Sequence, residues 1–222
     1  MSYSEIATKR WEKIINAQKA SFPFCSNSMI LRSALCGFLA GDGSVQIRKE
    51  KTFFHYQIDF FPDDNLMLKT YRNFVNKLYR KKPSVRIRDN VYHVRMTSRA
   101  IVEDLLENAD FGIKSWKLPE KIFLINGAKE FWLKGFFSAE AYVSNKTIRV
   151  QTVNKNGMLQ ISKILFELGI DNSIYNYTPK NKKWSSVTIL AINKKEARIK
   201  YFHKIGFWHS KKNKALKKSL NL

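Results

Sequence analysis

Two acids stand at matched places in two similar stretches of the chain. "LCGFLAGDGSV" (Leu35 to Val45) carries Asp42, and "FWLKGFFSAEAYV" (Phe131 to Val143) carries Glu140, 98 residues later. The run before each acid is small and apolar and reads as a helix. Each carboxylate therefore falls at a helix C-terminus, where the macrodipole disfavours negative charge. Two such carboxylates brought together repel one another and call for a cation between them. A hard divalent metal meets that need, because Mg²⁺ binds through few carboxylates and fills its shell with water and phosphate oxygens. Pairing each acid with one of the many Lys and Arg side chains meets it equally well. The spacing alone leaves both open.

Glycines suggest how the acids meet. Gly37 and Gly41 are four apart and share a helical face, as do Gly135 and Ala139. A glycine inside a helix costs about 1 kcal/mol relative to alanine. Small residues at this spacing let two helix backbones approach closely, a steric effect that needs no lipid. The expected helix-pair interface is Gly37 and Gly41 against Gly135 and Ala139. A single helix at a crowded crossing is the plainer alternative, but both copies keep the small residues.

A second pair of stretches recurs at nearly the same offset. "FGIKSWK" at Phe111 is matched by "IGFWHSKK" at Ile205, 94 residues on. Two agreeing offsets argue for a duplicated unit of roughly 100 residues. The first unit is expected over residues 1–115, with an N-terminal helical extension to about residue 25. The second is expected over residues 116–222, including the connection and a basic tail.

Both units read in the same order. In the first, a helix runs from about Ser28 to Gly41, and "SVQIRKE" alternates with period two as a strand. "FFHYQIDFF" is its hairpin partner. Asp63 or Asp64 caps a helix over "NLMLKTYRNFVNKLY". "SVRIR" and "VYHVRM" form a hairpin around Asp89-Asn90, and "SRAIVEDLLENADFG" is a closing helix. In the second, "KEFWLKGFFSAE" is a helix, "TIRVQTV" a strand and "NGMLQISKILFELG" a helix ended by Gly169. "NSIYNYTPKNKKWSSVTILAI" is a hairpin and "KKEARIKYFHKIG" closes the unit. The tail "HSKKNKALKKSLNL" reads as a basic helix or a solvated end, and charge runs usually mean solvent.

Charge is the outlier in composition. The 222 residues hold 40 Lys+Arg against 18 Asp+Glu, a net charge of +22. So basic a surface points first to a polyanion, nucleic acid above all. Two cysteines, Cys25 and Cys36, are too few for a disulfide framework or a cysteine-rich zinc site. They fit a reducing compartment. The N-terminus lacks the apolar core of a signal peptide, and no apolar run approaches the ~20 residues that span a bilayer. No membrane partner is expected. The expected location is intracellular, cytoplasmic in a prokaryote or organellar in a eukaryote.

"LCGFLAGDGSV" resembles the signature of the LAGLIDADG homing endonucleases, and "WLKGFFSAEAYV" resembles the diverged second copy in their single-chain, intron-encoded members. The second motif departs where Ala141 replaces the usual glycine and Tyr142-Val143 follow. The resemblance extends over nearly the whole chain. It implies an α+β fold of two pseudo-symmetric αββαββα repeats. The motif helices pack at the pseudo-twofold axis, and two antiparallel four-stranded sheets form a DNA-binding saddle. It implies that Asp42 and Glu140, with Gly41 and Ala139 beside them, hold Mg²⁺ or another divalent metal such as Mn²⁺ at the scissile phosphates. The reaction is then metal-assisted phosphodiester hydrolysis of both DNA strands, leaving short 3′ overhangs.

The strands suit such a saddle. Ser44, Gln46 and Arg48 share a face, as do Arg86 and Arg88, His93 and Arg95, and Arg149 and Gln151. Trp184, Ser186 and Thr188 share one as well. His55, Gln57, Tyr175 and Tyr177 complete the expected DNA-contacting set. Arg and Gln read guanine and adenine edges through paired hydrogen bonds, and the face is poor in acids, unlike an ordinary solvated sheet.

By the same resemblance Lys114, before the connection, and Lys212, in the matching stretch, are candidate catalytic lysines that stabilise charge on the phosphate or polarise water. Asn65 and Asn156 are weaker candidates for positioning water or metal. The expected partner is a double-stranded DNA site, and two repeats in one chain predict a monomer reading an asymmetric target. The alternatives on the same scaffold are an intron RNA-binding maturase and an inactive DNA-binding descendant.

Overall fold

The computed structural model describes residues 3–89, 91–179, 181 and 185–222. An N-terminal helix α1 (Tyr3–Ala20) precedes the first half, which runs α2 (Ser26–Asp42), β1 (Gly43–Glu50), β2 (Phe53–Phe60), α3 (Asn65–Tyr79), β3 (Ser84–Arg88), β4 (Val91–Thr97) and α4 (Arg99–Leu106). A short 3-10 turn (Ile122–Leu124) interrupts the connection. The second half runs α5 (Ala128–Glu140), β5 (Tyr142–Val143), β6 (Ile148–Thr152), α6 (Lys155–Glu167), β7 (Ser173–Tyr177), β8 (Val187–Ile192) and α7 (Lys195–Lys204). A final helix, α8 (Ser210–Leu220), ends the chain.

Each half holds one antiparallel four-stranded sheet, and the two orders correspond: β1-β2-β4-β3 and β5-β6-β8-β7. Helix α4 lies on β1 and β2, and α6 on β7 and β8. The halves meet through α2 and α5, the most extensive contact between any two elements. The approach is close enough that a Cβ on Gly37 would sit 2.1 Å from the Trp132 carbonyl oxygen. One on Gly135 would sit 2.6 Å from the Ala34 carbonyl, and one on Gly41 would sit 2.6 Å from the Ala139 Cβ. Only backbones bare at these positions can come so near.

Local chemistry sets the element ends. Asp64 caps α3 by accepting from the amides of Leu66 (2.9 Å) and Met67 (3.2 Å), while Met67, Leu68, Tyr71, Phe74, Val75 and Leu78 turn one face inward. Helix α6 ends in a Schellman turn. The Ile170 amide reaches the Leu165 carbonyl and the Gly169 amide reaches that of Phe166, both at 2.8 Å, with Gly169 at φ +73°. One continuous apolar core runs through both halves, with an aromatic group at each flank of the helix pair. Phe38, Phe60, Tyr71 and Trp208 form one, and Trp116, Trp132 and Phe136 the other.

Two expectations need correction. The basic tail is no solvated end: α8 buries Leu216 and Leu220, and its first turn joins the other half of the molecule. The face assigned to Thr188 is the wrong one. Thr188 shares its side of the sheet with Leu190 and Ile192, is 3% exposed, and donates its hydroxyl to Asn176 Oδ1 at 3.0 Å. Ser186 precedes β8, is exposed, and lies 3.1 Å from the Thr178 hydroxyl. The residues that share the side of Arg149 and Gln151 are Val187, Ile189 and Ala191. Trp184 and Asn90 lie outside the described residues.

Candidate active site and nucleic-acid interface

Asp42 and Glu140 are the last residues of α2 and α5, so the packing of those helices brings both acids to the seam between the sheets. The Gly41 backbone lies against Glu140, since a Cβ there would be 3.2 Å from the Glu140 Cγ. Burial pushes the Glu140 carboxyl up to about 7, the charge of Asp42 adds to the rise, and Lys212 opposes it. Burial also raises Asp42, against the pull of Lys212 and His209 and with a further push from Asp63. The Asp42 carbonyl accepts from the Phe61 amide at 2.9 Å, which ties the end of α2 to the strand beside it.

One cation enters this seam. Lys212 donates Nζ to the carbonyls of Ser138 (2.7 Å) and Ala139 (2.5 Å), the last turn of α5. Burial lowers its pKa, and Asp63, Asp42, Glu140 and Asp64 act against that lowering. The Ala139 carbonyl, expected beside a metal, therefore faces Lys212. Lys114 is exposed in the loop after α4. Asn65 and Asn156 are exposed in the first turns of α3 and α6, and the capping positions there belong to Asp64 and Asn154.

A latch between the halves delivers Lys212, and no pattern of neighbouring residues signals it. His209 caps α8 through its ring, with Nε2 3.2 Å from Asp63 Oδ1 and Nδ1 3.6 Å from Asp64 Oδ2. Ser210 donates its hydroxyl to Asp64. Trp208 packs on Phe38, Phe74 and Phe131, and its amide donates to Ser138 Oγ at 2.8 Å. The matching contact across the axis differs: Asn154, the cap of α6, donates to the Trp116 carbonyl at 2.7 Å. No local spacing signals these pairs, because their partners are far apart in sequence.

The donor set is oxygen: two carboxylates, each raised chiefly by burial. A hard divalent cation fits that set. Among the described residues no three His, Cys, Asp or Glu side chains gather as a cage. An ion held by Asp42 and Glu140 thus takes much of its shell from water or a phosphate, which keeps positions open for substrate.

The first sheet presents a polar floor. Ser44, Gln46 and Arg48 on β1 stand opposite Asp59, Gln57 and His55 on β2, and Arg95 and His93 on β4 continue the rows toward Ser84 and Arg86 on β3. Arg48 Nε donates to Gln46 Oε1 at 2.6 Å, and His55 Nε2 lies 3.2 Å from Glu50. Arg86 and Arg88 are exposed toward the hairpin tip. The second sheet differs. Arg149, Gln151, Tyr175 and Tyr177 are exposed over an apolar floor of Ile189 and Ala191, and the Arg149 guanidinium lies 5.6 Å from the Tyr142 ring centre.

Residues 129–206 match the family described as LAGLIDADG-like domain. Over 98% of its length the chain is 28% identical to a stretch of a DNA polymerase from Thermococcus aggregans, and it spans only 12% of that protein. The structure is similar to I-DmoI solved with DNA and Ca, with 22% identity over 81% of this chain and 90% of that one and a TM-score of 0.65. It is also similar to the LAGLIDADG homing endonuclease I-GzeII solved with its DNA target, with 15% identity over 86% and 88% of the two chains and a TM-score of 0.58. Residues 129–206 are therefore similar to a LAGLIDADG-like domain, and the chain shares the two-sheet fold of the solved structures it resembles.

Proposed function

We propose that this chain is a site-specific DNA endonuclease that hydrolyses both strands of a long asymmetric target with a divalent metal, leaving short 3′ overhangs. The observation that carries the reading is the convergence of Asp42 and Glu140 at the seam of the two sheets, with Glu140 raised to about 7 by burial and by Asp42. Similar folds solved with DNA and with Mn or Ca support it. When bound, Mg²⁺ or Mn²⁺ supplies Lewis acidity at the phosphodiester and lowers the pKa of water.

The protein's own residues do the rest. The two sheets set the duplex across the seam through Arg and Gln side chains, with phosphate contacts from the surrounding lysines. Asp42 and Glu140, being acceptor-only when ionised, hold cation charge at the place where phosphate must come. Lys212 is held beside them as a half-buried cation at the same place, so it stabilises charge that grows on the phosphoryl oxygens. The unlike floors of the two sheets favour an asymmetric target read by one copy of the chain.

The test is selection from a randomised double-stranded DNA library in Mg²⁺. Linearised products should converge on one sequence, end in short 3′ overhangs, and vanish with EDTA. Binding without cutting in every divalent metal would leave an inactive DNA-binding descendant. Preference for structured intron RNA over DNA would point to a maturase.

A further inference from the structure

The floor of the first sheet holds a carboxylate that does not fit a simple DNA-binding face. Asp59 on β2 stands among the bases' expected readers, where a free negative charge would repel phosphate. It is 5% exposed, and its oxygens are engaged. Oδ1 accepts from Arg95 Nε and from His93 Nε2, both at 2.7 Å, and Oδ2 accepts from the Gln57 side-chain amide. Burial works against its charge, but the bonds from Arg95, His93 and Gln57 outweigh that and hold its carboxyl below the usual range. Asp59 stays ionised, with both oxygens bonded to its neighbours.

Each bond fixes what a neighbour shows to a ligand. Arg95 spends Nε on Asp59 and keeps its two terminal nitrogens, the edge that grips guanine O6 and N7. Gln57 turns its amide nitrogen toward Asp59, which settles the direction of its donor–acceptor pair. His93 must carry a proton on Nε2, because an ionised carboxylate only accepts. That leaves the Nδ1 edge of the ring for a ligand. The ring is also stacked on Phe61, with centroids 4.8 Å apart and planes 17° apart. Asp59 pairs across the sheet with Ser44, two residues beyond Asp42, so this group lies at the inner end of the floor. The corresponding strand of the second sheet is β6, which carries Arg149 and Gln151 and no carboxylate.

We propose that Asp59 is a specificity-determining positioning residue. It locks Arg95, His93 and Gln57 into one donor–acceptor pattern that selects the base pairs nearest the cleavage centre on the side of the first sheet. This rests on the endonuclease reading above.

The test is the same library selection with the wild-type chain and with Asp59→Asn, reading discrimination at every base pair. The expected result is a loss of about tenfold in discrimination at one to three adjacent positions on the first sheet's side. Positions on the second sheet's side should keep their discrimination. A wild type that enriches no sequence defeats both readings. A folded Asp59→Asn that enriches the wild-type sequence with unchanged discrimination defeats the assignment of Asp59 alone. Should the variant not fold, nitrogen NMR of His93 in the wild-type chain decides. A proton on Nε2 at neutral pH supports the assignment, and a ring protonated only on Nδ1 overturns it.

Discussion

Lys212 donates to the Ala139 carbonyl at 2.5 Å, so the turn that ends in Glu140 is closed by a cation from the far end of the chain. A cation belongs at a helix C-terminus, and this one also faces Asp42. No matching lysine serves the other side among the described residues near the axis. Lys114 is exposed, and Lys117 pairs with Asp110 at 2.7 Å. Lys212→Met should slow cleavage about 10²-fold while leaving DNA affinity nearly intact. Plasmid assays should show nicked circles accumulating, because the two strands depend unequally on Lys212. Equal slowing of both strands, or none, would contradict this asymmetry.

Glu140 also makes the metal-free protein sensitive to pH. Its carboxyl is raised from 4.5 to about 7 by burial and by Asp42. Between those values the folded chain holds a proton that the unfolded chain has lost, so stability falls as pH rises through that window. Asp42 shifts in the same direction, whereas Asp63 and Asp64 shift the opposite way and act at more acid pH. In EDTA, Glu140→Gln should be more stable than wild type at pH 8, and the gap should close by pH 5. Urea midpoints at the two pH values measure it, and a gap independent of pH would contradict the shift.

The helix pair tolerates no side chain at its closest point. A Cβ on Gly37 would meet the Trp132 carbonyl at 2.1 Å, and backbone cannot give way as a flexible side chain can. Gly37→Ala should destabilise by about 3 kcal/mol or more, at the upper end for overpacking. Thermal unfolding would show it as a drop of roughly 6–12 °C for a chain of this size. Helix propensity alone predicts the reverse, a gain of about 1 kcal/mol.

Asp64 serves two elements at once. It caps α3 and accepts from Ser210 at the start of α8. Asp64→Ala should cost about 2 kcal/mol, at the top of the range for a lost cap. Amide exchange in α8 should quicken, although α8 is 146 residues away in sequence from Asp64 at Ser210. Exchange that quickens in α3 alone would contradict the latch.

Much of this was legible in the sequence because it is local. Helix α3 follows from a cap and one apolar face, and both are written in consecutive residues. The small residues at 37, 41, 135 and 139 point to a partner helix because they recur. What was illegible depends on distant partners. Thr188 reads as a solvent-facing polar residue until Asn176 satisfies its hydroxyl inside the sheet. Leu216 and Leu220 look like incidental apolar residues in a lysine run until α8 folds onto α7 and β5. Asp59 reads as one acid in an aromatic strand, and its role depends on Arg95 and His93 on a strand not adjacent in sequence. Asp63 and His209 meet only after both halves have folded.

The central claim is that Asp42 and Glu140 act together on a phosphodiester. Its most direct test compares wild type with Asp42→Asn and Glu140→Gln on the selected DNA target in Mg²⁺, reading binding and cleavage in the same samples. The account predicts that both variants bind the target with affinity near that of wild type and lose double-strand cleavage. Double-strand cleavage by either variant at the wild-type rate would contradict it.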